Sequence, residues 1–298
     1  MNLENLSNCP ICDNRHFENY LETYDYTITH EKFKLIRCTN CSFVITNPRP
    51  SFESMAKYYD SEQYISHSGG TNSLFDKIYL LARSFTLQWK YKLIKQYSAS
   101  NETILDYGCG TGEFLNFVQT KGLQVVGVEP NELARKKASL KLQGGISENL
   151  ESFNKGSFSV ITLWHVLEHI HHLNETIQNL KSLLTESGHL IIAVPNFMSQ
   201  DSFKYKESWA GYDVPRHLWH FSQETMNKLL EKNGLKIVET KPMKLDSYYV
   251  SLLSEGYKNP DQSKLTKGVK AFLEGIKSNF SARKNSQYSS LIYIAKPQ

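Results

Sequence analysis

The stretch Ile104-Leu105-Asp106-Tyr107-Gly108-Cys109-Gly110-Thr111-Gly112-Glu113-Phe114-Leu115 sets the fold of this 298-residue chain. It predicts a strand over Thr103–Tyr107, a glycine turn and the start of a helix. Glycine lets the backbone turn sharply and lets a ligand approach the chain closely. Free N–H groups at a helix start favour negative charge. In an open parallel sheet such a turn lies beyond the C-terminal strand ends, where ligands bind. A dinucleotide fingerprint reads G-x-G-x-x-G. Here the glycines fall as G-x-G-x-G, and Glu113 occupies the third fingerprint position. Asp106 closes the strand just before the turn; a carboxylate there repels a pyrophosphate and suits an ammonium group.

The next strand, predicted over Gln124–Glu129, ends in an acid 21 residues after Gly108. Such a carboxylate accepts hydrogen bonds from ribose hydroxyls, which fits NAD and S-adenosylmethionine (SAM) equally. SAM carries an ammonium, a carboxylate and a ribose but no phosphate, so it also matches Asp106. Together, D-Y-G-C-G-T-G and G-V-E-P resemble the first and second motifs of class I SAM-dependent methyltransferases, over roughly residues 100–240. The resemblance implies an α/β fold, a Rossmann-like sheet with helices on both faces, and SAM as methyl donor. It implies that Asp106, Gly108 and Gly110 line the methionine end and that Glu129 binds the ribose. In that family the adenine contact follows the third strand, which makes Ile146, Ser147 and Glu148 candidates. The competing reading is a plain turn of glycines with Glu129 beside a helix cap; the strand–loop–helix context and the agreement of two motifs oppose it.

Around this stretch, short apolar runs alternate with helical patterns, as in a parallel α/β sheet. Further strands are predicted over Ser159–Trp164, His189–Val194, Leu235–Thr240 and Leu291–Ala295. One helix carries Leu173, Ile177, Leu180 and Leu184, and another covers Gln223–Lys232. Upstream, Leu74, Ile78, Leu81, Phe85, Trp89 and Leu93 recur at spacings of three and four, one apolar helix face. The chain divides into a cysteine-bearing module (1–50), a helical lid or linker (51–100) and a SAM-binding domain (101–298). Tyr58, Tyr59, Tyr64 and His67 are candidates to close over the cofactor, or else to pack the module against the domain.

Two histidine-rich strings follow strand ends. Leu163-Trp164-His165-Val166-Leu167-Glu168-His169-Ile170 occupies a position that faces the cofactor in the resembled family, which assigns Trp164 and His165 there. It lacks the N-P-P-Y or D-P-P-Y of enzymes that methylate nucleic-acid amino groups. His165 and His169 are spaced to share a helix face, and H-x-x-E-H has the letters of a zinc protease. The preceding strand and the glycine loop oppose a protease, leaving packing or a substrate-side role. The second string, Asp213-Val214-Pro215-Arg216-His217-Leu218-Trp219-His220-Phe221-Ser222, contains His-Leu-x-x-Phe-Ser. That is similar to a string in sugar C-methyltransferases, which also carry an N-terminal zinc module and use the histidine as base. The resemblance points to His217 as the base, with His220 and His169 as alternatives; the neighbouring tyrosine of those enzymes is replaced by Val214. Methyl transfer is in-line displacement at a sulfonium, and a positioned base adds about 100- to 10,000-fold.

Cys9-Pro10-Ile11-Cys12 and Cys38-Thr39-Asn40-Cys41 form C-x2-C-x25-C-x2-C. Two such knuckles present four thiolates to a structural Zn²⁺ and leave no open catalytic position. The separation exceeds the usual spacing of roughly 15–20 residues, which a hairpin accommodates. A redox pair or an iron site are the alternatives. Cys109 reads as a small packing residue.

Composition narrows the partners. Hydrophobic residues make up 40% and charged residues 21%, with a net charge of +4. No basic stripe marks a nucleic-acid binder, and residues 1–50 hold five Lys or Arg against six Asp or Glu. The expectation is a cytoplasmic protein with no membrane span and a small-molecule acceptor of sugar, lipid-linked or natural-product type. The alternatives are an rRNA methyltransferase with a zinc module and a non-catalytic SAM-binding protein. The oligomeric state is left open.

Overall fold

A computed structural model describes residues 2–59, 74–98, 102–143 and 145–298. Tyr64 and His67 fall outside the described residues, as do the side chains of Leu74, Ile78 and Leu81. The strands, in chain order, are β1 (Leu3–Glu4), β2 (Phe17–Tyr24), β3 (Lys32–Cys38), β4 (Val44–Thr46) and β5 (Arg49–Pro50). There follow β6 (Thr103–Tyr107), β7 (Gln124–Val128), β8 (Ile146–Ser147), β9 (Phe158–Trp164), β10 (Leu184–Pro195), β11 (Trp219–His220), β12 (Leu235–Pro242) and β13 (Ser290–Pro297).

Seven strands make the main sheet, in the order β12-β13-β10-β9-β6-β7-β8. Only β13 runs antiparallel to its neighbours; the other pairs are parallel. Alternation of side chains across a strand explains the two cores. Leu105, Leu190, Ile192, Val194, Leu291 and Tyr293 face one core. Ile104, Ile191, Ala193, Ile292 and Ile294 face the other, where Leu93 and Ile94 from the helix Leu74–Ile94 also pack. With both faces covered, β9 reads as a nearly continuous apolar run, as buried parallel strands do. The Gln223–Lys232 helix begins at a capping box of Ser222 and Thr225, which satisfies N–H groups that would otherwise lack partners.

The sequence reading needs adjusting at several points. The helix bearing Leu173 ends at Leu183, and Leu184 already belongs to β10. Phe85 is 63% exposed, while Leu93 and Ile94 pack on the sheet, so among the described residues the upstream repeat is not one buried face. The C-terminal part holds two helices, Asp246–Lys258 and Lys264–Asn285, between β12 and β13.

A second sheet, in the order β11-β4-β3-β2, carries the N-terminal module. Its fourth strand comes from far along the chain: Trp219 pairs with Ile45 and His220 with Val44. Phe43 stacks on Trp219 and tilts against Phe221. Cys9, Ile11, Phe43 and Ile45 belong to the same apolar core as Leu163, Leu167 and Leu173. The change in sequence character near residue 50 is therefore not a break in packing.

Candidate functional site

The glycine turn after β6 enters the left-handed region three times, with φ of 74° at Gly108, 54° at Gly110 and 75° at Gly112. A Cβ on Gly108 would meet Val166 at 2.6 Å, whereas one on Gly110 would meet nothing within 4 Å. Gly110 thus borders open space at the C-terminal sheet edge. Its N–H donates to Glu129 Oε2 at 2.8 Å, and Asn131 N–H donates to Oε1 at 2.8 Å. The acid after β7 pins the loop while each oxygen retains a further lone pair. Burial raises its pKa despite those two donors.

Asp106 lies beneath the turn, 3% exposed. Burial pushes its carboxyl up to about 7, against the pull of the Thr162 hydroxyl and the Lys90 ammonium, with Glu129 adding to the rise. Thr162 Oγ1 donates to Asp106 Oδ1 at 2.6 Å. Lys90 Nζ sits 4.3 Å from the centre of the Trp164 ring; burial pushes it down to about 8, against the attraction of Asp106 and Asp246. Trp164 meets Phe114 edge-on, and its buried Nε1 has no hydrogen-bond partner among the described residues. Ser147, at the tip of β8, accepts the Glu129 N–H through its carbonyl and turns its hydroxyl to Asn149 O. Glu148 pairs with Arg135 at the surface. Two buried acids, the Trp164–Phe114 pair and an open glycine edge outline a cup at the end of β6.

From this cup a line of polar groups runs toward the N-terminal module. His165, at φ 57°, places Nε2 3.0 Å from Asp246 Oδ2 and Nδ1 3.3 Å from Glu168 Oε1. Burial lowers its pKa, but the two carboxylates outweigh burial and bring it to about 9. Burial likewise raises Glu168 and Asp246, yet His165 holds both below the usual carboxylate range. Glu168 is fully buried, and its Oε2 has no hydrogen-bond partner among the described residues. One oxygen of Glu168 and one ring nitrogen each of His169 and His217 lie within 4.8 Å of one another. His169 Nδ1 lies 3.1 Å from the Arg216 carbonyl and 3.0 Å from the Tyr59 hydroxyl. Burial, reinforced by His217, drives His169 down to about 4. His217 Nδ1 lies 2.9 Å from the Gly211 carbonyl. A carbonyl only accepts, so Nδ1 carries the proton and Nε2 the lone pair. That Nε2 is 3.9 Å from Asp213 Oδ2.

Arg216 fixes this junction. Its guanidinium, 1% exposed, donates to Asp25 at 3.0 Å, to Asp213 at 2.6 and 3.0 Å, and to the Tyr58 carbonyl at 3.1 Å. Asp25 also collects the Thr27, Ile28 and Thr29 amides of the β2–β3 turn. One side chain thereby ties the module's hairpin to the segment that carries His217.

A family model described as a methyltransferase domain matches residues 80–240. The chain belongs to this family. Among curated relatives, a ubiquinone biosynthesis O-methyltransferase of Vibrio campbellii is 30% identical over 120 residues, covering 37% of this chain and 51% of that protein. The mitochondrial ubiquinone biosynthesis O-methyltransferase of Rattus norvegicus is 29% identical over 158 residues, 46% of this chain and 45% of that protein. The chain spans about half the length of the curated relatives it matches. In fold it is similar to magnesium protoporphyrin IX methyltransferase of Synechocystis PCC 6803 with bound S-adenosylhomocysteine (SAH). The TM-score is 0.52 and the identity 16%, over 81% of this chain and 97% of that one.

In this methyltransferase-family chain the predicted residues outside the cysteine cluster separate into four places. Asp106, Gly108, Gly110, Glu129 and Trp164 surround the cup, with Ser147 at its rim. His165 reaches away to Asp246 and does not share a helix face with His169, because only Leu167–His169 is helical, as a single tight turn. Of the H-x-x-E-H letters, His165 meets Glu168 but is not grouped with His169; Glu168 and His169 instead join His217 from another segment. His220 sits at the sheet junction: its Nε2 is 3.0 Å from Thr46 Oγ1, and that hydroxyl donates to the His217 carbonyl. Lys90, Thr162 and Asp246 carry no signal in the sequence, whereas Tyr59 stands there only as a candidate to close over the cofactor. Glu168 was visible there, but only as a letter in the protease pattern.

The four thiols are all reduced and lie within 4.8 Å of one another. Cys9 Sγ and Cys41 Sγ are 3.4 Å apart, and Cys12 Sγ and Cys38 Sγ 3.5 Å. Tetrahedral zinc with bonds of about 2.3 Å needs sulfurs about 3.8 Å apart, so the cluster is compatible with a zinc module. Asn14 Nδ2 donates to Cys38 Sγ at 3.4 Å, the kind of outer contact that orients a metal-bound thiolate.

Proposed function

We propose that this protein is a SAM-dependent methyltransferase acting on a small-molecule acceptor of sugar, lipid-linked or natural-product type, with His217 as the base. The observation that carries the proposal is the cup: buried Asp106 and Glu129 facing a glycine edge with open space at Gly110. SAM, when bound, supplies an electrophilic methyl group. The chain's own part is to bind and to position. Glu129 has lone pairs left for ribose hydroxyls, and Asp106 offers a charge for the ammonium. Trp164 and Phe114 wall the cup and exclude water. His217 Nε2 is available to take a proton from an acceptor hydroxyl or carbon, and its tautomer is set by Gly211. Glu168 and Asp213 would stabilise the imidazolium that results. The ubiquinone-pathway relatives act on small molecules by name, in keeping with this acceptor class.

We further propose Zn²⁺ on Cys9, Cys12, Cys38 and Cys41 in a structural role. The cluster shares its core with the main sheet, so metal binding would stabilise the whole molecule. Elemental analysis should give about one zinc per chain; a folded, metal-free protein would reject the site. For the activity, labelled methyl groups from SAM are supplied to purified protein and an extract of small molecules, and the labelled product is identified. Label in RNA, or no transfer together with no SAH binding, would overturn the proposal.

A further inference from the structure

We infer that the outer face of the helix Lys264–Asn285 docks on an anionic membrane surface. This inference stands apart from the methyl-transfer reading. The helix is held by its inner side, where Ala271, Glu274, Gly275, Ser278 and Ala282 are buried. Gly275 is required there, since a Cβ would meet Tyr248 at 2.4 Å. Ser278 Oγ donates to the buried Asp201 at 2.7 Å. The helix is thus firmly seated, and its opposite side is not frayed structure.

That opposite side is apolar. Leu265, Val269, Phe272, Leu273, Ile276 and Phe280 are 43–72% exposed. At about 100° per residue they fall within an arc roughly 100° wide, turned away from the buried residues. Single exposed apolar residues are ordinary; a contiguous stripe of six marks an interaction site. Lys270, Lys277 and Lys284, all exposed, run along one border of the stripe. Arg283 lies in line with it, its guanidinium carbon 5.8 Å from the centre of the Phe280 ring. The helix has six Lys or Arg and one acid, Glu274, and that acid is on the buried side. No carboxylate interrupts the outward face.

This charge pattern selects the occupant. Two-fold pairing with a second copy would set one lysine-bordered face against another, with no acid in the stripe to meet it. Anionic headgroups would meet the lysines while Phe272, Ile276 and Phe280 entered the acyl boundary, the arrangement of helices that lie in the membrane plane. Among the described residues no helix is long and apolar enough to cross a membrane, so the contact would be peripheral.

The test is co-sedimentation of the full chain with phosphatidylcholine vesicles, with and without about 30% phosphatidylglycerol. Binding is expected only to the anionic vesicles and should fall with added salt. Substituting Lys270→Ala, Lys277→Ala and Lys284→Ala together should weaken it on the order of 100-fold, at about 1 kcal/mol per lysine. Phe272→Glu with Phe280→Glu should abolish it while SAH binding and the circular dichroism spectrum stay unchanged. Should that pair prevent folding, the exposed lysine variant still decides. Wild-type protein that ignores anionic vesicles, or a lysine variant that binds like wild type, would overturn the inference. So would sedimentation equilibrium showing that the Phe272–Phe280 stripe closes a dimer instead.

Discussion

The cup after β6 and the histidine junction lie along one line of polar groups, yet they are assembled in opposite ways. The cup is local. Asp106, Gly108 and Gly110 fall within five residues, and Glu129 is delivered by the neighbouring strand. The junction is gathered from afar: Tyr59, the Glu168–His169 turn, the stretch from Gly211 to Arg216, and Asp246 come from four segments, one ahead of the main sheet and two beyond β10. A local site depends on its own turn, and a gathered site depends on the whole fold. Damage to the cup should therefore cost binding, while damage to the junction should cost turnover or stability.

Four experiments would break or sharpen this contrast. The largest effect is expected from His217→Ala, which should lower turnover about 100- to 10,000-fold and leave SAM affinity nearly unchanged. Equal turnover in single-turnover assays would remove His217 as base. Next, Arg216→Ala strands the buried Asp25 and the half-buried Asp213, and urea unfolding should show a loss of about 3–5 kcal/mol. A loss below about 1 kcal/mol would mean that the module does not depend on this tie. Third, Asp106→Ala should weaken SAH binding on the order of 10- to 100-fold, the worth of a hydrogen bond to a charged group. Calorimetry would measure it, and an accompanying collapse in stability would blur the distinction between the two regions.

The smallest effect is one of pH. Asp106 titrates near 7 in the folded chain, above its ordinary value. Its carboxylate form is thus disfavoured by folding, and this group makes the ligand-free protein less stable as pH rises from about 4 to about 7. SAM binding has the opposite sign, because it needs the charge. Affinity should fall between pH 7.5 and 5.5, approaching about tenfold per unit below the folded pKa. A flat profile would mean that Asp106 does not meet the ammonium.

The same contrast explains what could be read from the sequence. The turn at Gly108–Gly112, the strands flanking it and the knuckles at Cys9 and Cys38 are set by neighbours in the chain, and their letters carry the geometry. The His165–Asp246 pair spans 81 residues, and no spacing rule connects such positions. Lys90 lies in an ordinary helical pattern, and only the approach of that helix to the sheet brings it over Trp164. His165 and His169 misled because an i, i+4 spacing implies a shared face only if the segment is helical, and here His165 is in the left-handed region. His217 stands out in the sequence only through a family resemblance, which leaves its role a proposal; its Gly211 partner is supplied by a turn without a recognisable signature.

The two-residue strand Trp219–His220 has a consequence for synthesis. Strands β2 to β4 leave the ribosome long before their fourth partner exists. At about 5–20 residues per second the β4 edge waits roughly 10–35 s for residue 220 to emerge. Through that interval Val44 and Ile45 present an unpaired edge, the kind that recruits neighbouring chains. Nascent protein is thus vulnerable to misassembly at the β4 edge until residue 220 emerges, and holding that edge apart is a task for a chaperone.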